Sequence, residues 1–457
     1  MRIDSWLKIG KDDGYSFDLL KSRLEVPNPE YLSRQRMGFN TNGIARFDPL
    51  YQEVGNELWI PRALVHKYGN NSVEDNTVLG NSVDFKSKIV LGPTETRTEN
   101  QKPFVDSLED ALRRNGGAIG QAAPGFGKTV CALEVIARLG RTTAVLVHKS
   151  FLMNQWIERI HDCFDISDDD IGFVQQDRCE FVDKKIVMIM VQSLLARDYP
   201  KSLYEYFGTV VVDEVHRFGA VEFRKAITKF PAKYRIGVTA TPKRKDGLEE
   251  VFFMHIGDIA FVGAKRSMTA KIQYVNANMV IPDSMRRGML NWKKQYDMNK
   301  VTQYLVDCET RNRQIVKLLI DALKAGRKVM VLSSRREHLN VLHDMFAIET
   351  AKQHVRFTQG FYVGGMAERD LAISATRHLI LATFQMAQEG LDIPDLDTLF
   401  LTTPKGDVVQ AVGRILRKHD GKKAPMVIDI LDNDIPLCVN LAKKRAKQYR
   451  EMGCTFA

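Results

Sequence analysis

The sequence is poor in the features that mark secreted, metal-stapled or membrane-spanning chains. Its six cysteines (Cys131, Cys163, Cys179, Cys308, Cys438, Cys454) are scattered over 457 residues, with no C-x-x-C pair and no Cys/His cluster at zinc spacing. That pattern speaks against a disulfide framework and a structural metal, and for reduced thiols in a cytosol-like compartment. No apolar run reaches the ~20 residues of a spanning helix. The opening MRIDSWLKIGKDDG has acidic residues where a signal peptide would have its apolar core, so neither a membrane nor an export role is expected. There is no repeat at solenoid period.

Hydrophobic residues at 44% and charged residues at 27% are the balance of a chain that folds on its own, and its length asks for two or three domains. The net charge of +10 would concentrate a polyanion around the protein. It would equally serve as a solubility charge spread over the surface, so charge alone decides nothing.

From about 95 to 260, short apolar runs alternate with helix-sized segments: TTAVLVH (142–148), KIVMIMV (185–191), GTVVVDE (208–214) and YRIGVTATP (234–242). Such runs read as buried parallel strands. A second series follows in RKVMVLSS (327–334), RHLILATF (377–384), LDTLFLTTP (396–404) and APMVIDIL (424–431). The expectation is therefore α/β, with two tandem parallel-sheet domains at 93–263 and 311–457. Ahead of them, residues 1–92 show mixed strand and turn signals and form a small N-terminal α+β domain. Residues 264–310 between the sheets read as a basic linker or insert, within which RRGMLNWKKQY (286–296) has the pattern of an amphipathic helix.

Chemistry concentrates in three places. In AAPGFGKT (122–129), Gly125 and Gly127 permit the tight backbone that turns N–H groups toward phosphate oxygens. Lys128 can reach the β and γ phosphates, and Thr129 offers a hydroxyl to Mg²⁺. In VVVDEVH (210–216) a strand ends in Asp213, placed to hold Mg²⁺ from the other side, and Glu214, placed to polarise the attacking water. In QAVGRILR (410–417), Gln410, Gly413, Arg414 and Arg417 share one helical face, and the two arginines can stabilise a transferring phosphoryl group.

The order of these motifs resembles superfamily 2 helicases: AAPGFGKT as motif I, DEVH as II, TATP (239–242) as III and QAVGRILR as VI. TENQ (98–101), LVHKSFLMNQW (146–156), VQSL (191–194), VLSSRREHLNVL (331–342) and LATFQMAQEGLDIP (381–394) fit the adenine-side segment and motifs Ia, Ib, IV and V. An opening alanine is common in motif I of that superfamily, which accounts for Ala122. The resemblance, over residues 95–430, implies two RecA-like domains, ATP and Mg²⁺ as cofactors, and hydrolysis coupled to domain closure. It implies that Gln101 lies near the adenine, that Gly390 and Asp392 lie near the ribose with Gln410 in the same nucleotide site, and that Arg414 and Arg417 reach the γ-phosphate across a cleft. It further implies nucleic-acid contacts from His148, Lys149, Gln192, Ser193, Ser333, Ser334 and Thr383, with Thr239 and Thr241 coupling the two sites.

The DEAD-box RNA branch carries P-T-R-E-L-A and S-A-T, where this chain has LVHKSFLMNQW and TAT. The DEVH box and the motif Ia and V segments look more like the DNA-acting group that holds XPB-type helicases, type III restriction motors and phage UvsW-type branch-migration helicases. That resemblance implies a monomeric enzyme of the (host) cytoplasm acting on branched or forked DNA, with a recombinase or single-strand binding protein as partner. An RNA helicase and an accessory subunit with ATP as a conformational latch are the competing readings. For residues 1–92, recognition of branched DNA and packing of the first lobe are equal alternatives. The basic run AKKRAKQYR (442–450) tracks phosphates or forms a solvated helical face, with Trp292 and Tyr296 of the preceding insert available for stacking.

Overall fold

The computed structural model describes residues 1–457 apart from 70–72, 95–99, 124, 216–219, 241–246, 264–268, 278, 280, 390–392, 417, 418 and 420, and apart from the side chains of 220, 388 and 389. The chain divides into two compact units, Met1–Ala264 and Lys265–Ala457. Among the described residues no helix is long and apolar enough to cross a membrane.

The first unit is built on an eight-stranded sheet in the order Arg178–Cys179, Ile171–Gln175, Ile186–Met190, Thr143–Val147, Thr209–Asp213, Tyr234–Thr239, Gly117–Gln121, Ile259–Val262. All pairs are parallel except the outermost, Arg178–Cys179. The central strands TVVVD and IVMIM are buried along their whole length, the consequence of a sheet covered on both faces. Strand Gly117–Gln121 carries glycine at 120 for a packing reason: a Cβ there would overlap the Phe104 ring of helix Lys102–Asn115, which lies against it. Successive strands Gly117–Gln121 and Thr143–Val147 are separated in space by the strands ending in Asp213 and Thr239. Their carboxyl ends open the crevice where open α/β sheets bind ligands.

The small N-terminal α+β region has its own five-stranded sheet, ordered Gln52–Val54, Glu57–Pro61, Trp6–Gly10, Arg2–Ile3, Glu74–Asp75. Helices Phe17–Arg23 and Pro29–Met37 accompany it and begin at Ser16 and Asn28, whose side chains accept from backbone N–H groups of the first turn. Its apolar residues Leu7, Ile9, Leu58 and Ile60 belong to the same buried cluster as Phe223, Phe252 and Ile256 from the large sheet's side. Polar groups close the seam. Arg235, fully buried, donates to the carbonyls of His255 (2.8 Å), Phe230 (2.9 Å), Ser5 (3.0 Å) and Ile227 (3.3 Å). Arg62 does the same toward Ala232, Gly116 and Lys233. From Val78 to Leu91 the chain runs as a strap over the unit, through bonds such as Val78 N to Pro231 O (2.8 Å), Val83 N to Gly140 O (3.0 Å) and Lys88 N to Cys163 O (2.8 Å).

The second unit holds a seven-stranded parallel sheet in the order Gln359–Tyr362, Leu379–Thr383, Val329–Ser333, Thr398–Leu401, Met426–Leu431, Lys271–Asn276, Thr455–Phe456. The expected two-sheet α/β architecture is thus observed, with one correction. Residues 264–310 are not a linker: Lys271–Asn276 is a strand paired along its length with Met426–Leu431, and Val301 and Leu305 of helix Met298–Asp307 enter the core of this unit. The amphipathic helix expected over 286–296 is absent too, because helix Asp283–Gly288 stops at Gly288 and the chain turns back, bridging Leu290 to Tyr296.

The C-terminal helix Pro436–Glu451 carries the basic run, and its inner face is not free for phosphates. Arg445 grips Asp429 with two bonds of 2.8 Å, and Tyr449 donates to the same carboxylate at 2.9 Å. Only Lys443, Lys444, Lys447 and Arg450 of the run's charges face solvent.

If the N-terminal region is part of the first unit's core, Arg235→Met, which strands three buried carbonyls and the part-buried one of Ser5, should lower that unit's unfolding free energy by about 2–4 kcal/mol. Urea denaturation would read this, and an unchanged midpoint would contradict the account of the seam.

Candidate functional site

In the first unit, strand Gly117–Gln121 runs into the glycine-rich loop and helix Lys128–Leu139. Gly125 and Gly127 both adopt left-handed backbone, with φ of +89° and +88°. Such successive turns point N–H groups to one side as an anion-binding nest. Among the described residues no side chain caps the helix start, and a helix N-terminus of this kind is where an anion can be bound. Gly127 is required twice, since a Cβ there would also overlap the Gln101 amide nitrogen. The Lys128 ammonium is buried, 3.1 Å from the Ala122 carbonyl, held back over the loop it serves.

One strand away, Thr239 ends Tyr234–Thr239, and its carbonyl accepts from Ala122 N at 3.2 Å. The next strand ends in Asp213. This carboxyl is buried, and Trp156 Nε1 donates to its Oδ2 at 2.8 Å. Burial first, and then the neighbouring Glu214 charge, push Asp213 up to about 6; the Trp156 bond and the Lys128 charge oppose them. Glu214 itself has φ of +48°, a left-handed conformation rare for a residue with a side chain, and strain of this kind concentrates at functional sites. Nest, helix start, ammonium and raised carboxyl together match the chemistry of a nucleotide phosphate chain with a divalent cation.

The residues match the family model for the type III restriction enzyme res subunit over 95–244. A protein of Acanthamoeba polyphaga mimivirus, by provisional name an ATP-dependent RNA helicase, is 29% identical over 88% of this chain and 76% of its own. A protein of Invertebrate iridescent virus 6, provisionally named a helicase, is 26% identical over 95% of this chain and 98% of its own. Among solved structures, Saccharomyces cerevisiae Dbp5 bound to RNA and ADP BeF3 has a TM-score of 0.51 at 11% identity, covering 78% of this chain and 89% of that one; this is a likeness of fold. The chain is a helicase, and its motif order is similar to that of superfamily 2. Its phosphate loop and carboxylate pair are the candidate nucleotide site.

Gln101 sits at the start of helix Lys102–Asn115, buried, and its Nε2 donates to Phe126 O at 2.7 Å. Its Oε1 has no partner among the described residues, an acceptor of the type that the adenine amino group needs. Thr129 lies in the first turn of the helicase's loop helix, one residue beyond Lys128. Thr241, Gly390, Asp392 and Arg417 lie outside the described residues.

The expected nucleic-acid residues of the first unit come together at the carboxyl ends of two adjacent strands: Gln192 Nε2 donates to His148 O at 3.1 Å, and Lys149 follows. Ser193 is corrected: it is buried, and its hydroxyl accepts from Gln176 N at 2.9 Å, so it holds the loop and does not face outward. In the second unit Ser334 and Thr383 follow or end neighbouring strands. Ser333 is corrected for the same reason, being buried 3.2 Å from His338 Nδ1, while His338 Nε2 meets Asn312 Oδ1 at 2.9 Å. Ser334 stays exposed, with its N–H on Thr403 Oγ1 at 2.8 Å.

Gln410 and Arg414, both half-buried, lie on helix Val409–Ile415 of that unit. Their placement depends on residues that sequence patterns did not single out. Arg445 donates to Lys405 O (2.7 Å), while Gln448 accepts from Val408 N (3.0 Å) and donates to Gly406 O (3.1 Å). The C-terminal helix thereby fixes the turn that leads into the arginine helix. Trp156 was missed as well: its spacing with Met153, Ile160 and Cys163 marks a core stripe, and apolar periodicity does not disclose the indole N–H.

Asp213 titrates higher in the folded chain, at about 6, than its unperturbed 3.8. The folded state holds that proton across the interval, so stability falls as pH rises through it and the full cost is present above. In Mg²⁺-free buffer Asp213→Asn should therefore melt above the wild type at pH 8 and with it at pH 4. Equal melting at pH 8 would contradict the buried-carboxylate account.

Proposed function

We propose that the chain is an ATP-dependent DNA helicase or translocase that remodels branched DNA by fork regression, junction migration or displacement-loop unwinding. The observation that carries the reading is the Trp156–Asp213 bond. It builds the tryptophan of the LVHKSFLMNQW segment, where this chain departs from the DEAD-box RNA branch, into the support of the nucleotide-site carboxylate.

In this reading the nest formed by Gly125 and Gly127 receives the phosphates, Lys128 neutralises their β and γ charge, and Thr129 and Asp213 hold Mg²⁺. The bound cation would supply charge neutralisation and would favour the ionised form of Asp213. Glu214 orients the attacking water and takes its proton. Arg414 and Arg417 stabilise the charge that builds on the transferring phosphoryl group, while Gln410, Gly390 and Asp392 complete the nucleotide site. His148, Lys149, Gln192, Ser334 and Thr383 contact the nucleic-acid backbone, and Thr239 and Thr241 couple the two events. For Thr239 the supporting observation is its carbonyl bond to the phosphate loop.

A second reading, an RNA helicase, is favoured by the name that the mimivirus relative carries. Steady-state ATP hydrolysis separates the two. Measured at fixed salt with single-stranded DNA, duplex, four-way junction and single-stranded RNA, it should rise about tenfold or more with DNA and most with the junction. Stimulation by RNA alone would establish the second reading, and no stimulation by any nucleic acid would sink both. Arg414→Ala should leave ATP binding in place and slow hydrolysis about a thousandfold; normal turnover would remove that assignment.

A further inference from the structure

Of the four tryptophans, Trp6 and Trp156 are buried and Trp59 is half-buried beneath the Lys8 ammonium. Trp292 is 83% exposed. An indole left in water forfeits roughly 2 kcal/mol of burial, so its support matters. The turn that carries it is tightly built. Asn291 N donates to Gln295 O (2.8 Å), Lys294 N to Asn291 O (3.0 Å) and Asp297 N to Met289 O (2.8 Å). The Asn291 side chain accepts from Lys293 N (2.9 Å) and Gln295 N (3.0 Å), and Lys300 Nζ closes on Leu290 O (2.8 Å). Its base is anchored by Met289 in the core, with Tyr296 packed alongside, so that Tyr296 is not the stacking group.

The surroundings select an anionic partner. Lys293 lies over the indole at 4.6 Å from the ring centre. Arg287, Lys294 and Lys300 are exposed nearby, whereas of the two acids in 283–300, Asp297 is occupied capping helix Met298–Asp307. Asn299, in the first turn of that helix, accepts from Arg335 at 3.2 Å. The turn is thereby tied to the loop after strand Val329–Ser333, which bears Ser334.

We propose that Trp292 is a stacking platform for an unpaired base of a single strand, with Lys293 and Lys294 on the flanking phosphates. Every base has a π face, so stacking of this kind is tolerant of sequence. The inference rests on the nucleic-acid reading above and adds to it a recognition element outside the helicase motifs.

The test titrates the full chain with oligothymidylate while following tryptophan emission and, in parallel, ATP hydrolysis. The proposal predicts quenching of the wild type and loss of that quenching in Trp292→Ala. The variant should bind about tenfold more weakly, with unchanged melting and unchanged nucleic-acid-free hydrolysis. Lys293→Ala with Lys294→Ala should lower the slope of log affinity against log salt by about 1–2. Unchanged affinity in Trp292→Ala, while oligothymidylate still stimulates hydrolysis, would overturn the platform, make the turn a protein-docking knob and leave the helicase reading standing. Absence of both binding and stimulation with every nucleic acid would overturn the two together.

Discussion

The first unit turns on a carboxylate that is expensive to bury. Asp213 ends a fully buried strand, next to a second carboxylate, and ionisation there is opposed by lost hydration and by like charge. The molecule offsets this with the Trp156 indole N–H and the Lys128 ammonium, one from the helix after strand Thr143–Val147 and the other from the phosphate loop. Strand order brings these together: the strand ending in Thr239 lies between Asp213 and the loop and is bonded to both neighbours. In the proposed reading a phosphate–cation pair relieves this site, by taking up the ammonium and the carboxylate at once.

Rigidity around that site comes from polar groups on main-chain carbonyls. Arg235 and Arg62 bond N-terminal and sheet segments into one body, and Leu91, at the end of the strap that starts at Val78, accepts from Gln101 N at 2.8 Å. The second unit uses the same device, with Arg311 bonded to Asp432 and to the Thr402 carbonyl, and with Arg445 and Gln448 fixing the turn before Arg414. These side chains hold backbone in place, and substitution of any of the four arginines leaves buried acceptors without donors.

Both sheets were legible because parallel strands buried on two faces read as unbroken apolar runs, as IVMIM and TVVVD do. Strand Lys271–Asn276 was not, since its alternating exposure hides it within polar sequence, and only pairing with Met426–Leu431 identifies it. The 286–296 helix failed for a related reason: Gly288 and the Asn291 side chain favour a turn that outweighs the amphipathic spacing. The phosphate loop and acidic pair were legible from chemistry confined to a few contiguous residues. Trp156, Arg445 and Gln448 were not, because their roles depend on contacts distant in sequence. Ser193 and Ser333 show the reverse error, polar residues at strand ends whose hydroxyls are spent on holding loops.

The central claim is that Glu214, beside the buried Asp213, drives hydrolysis of a nucleotide held by the Lys128 loop. A single-turnover measurement with radiolabelled ATP on Glu214→Gln tests it most directly, because bound and cleaved nucleotide are read in one experiment. The account predicts that ATP binds with an affinity near that of the wild type and is cleaved at least about a hundredfold more slowly. Cleavage at the wild-type rate would contradict it.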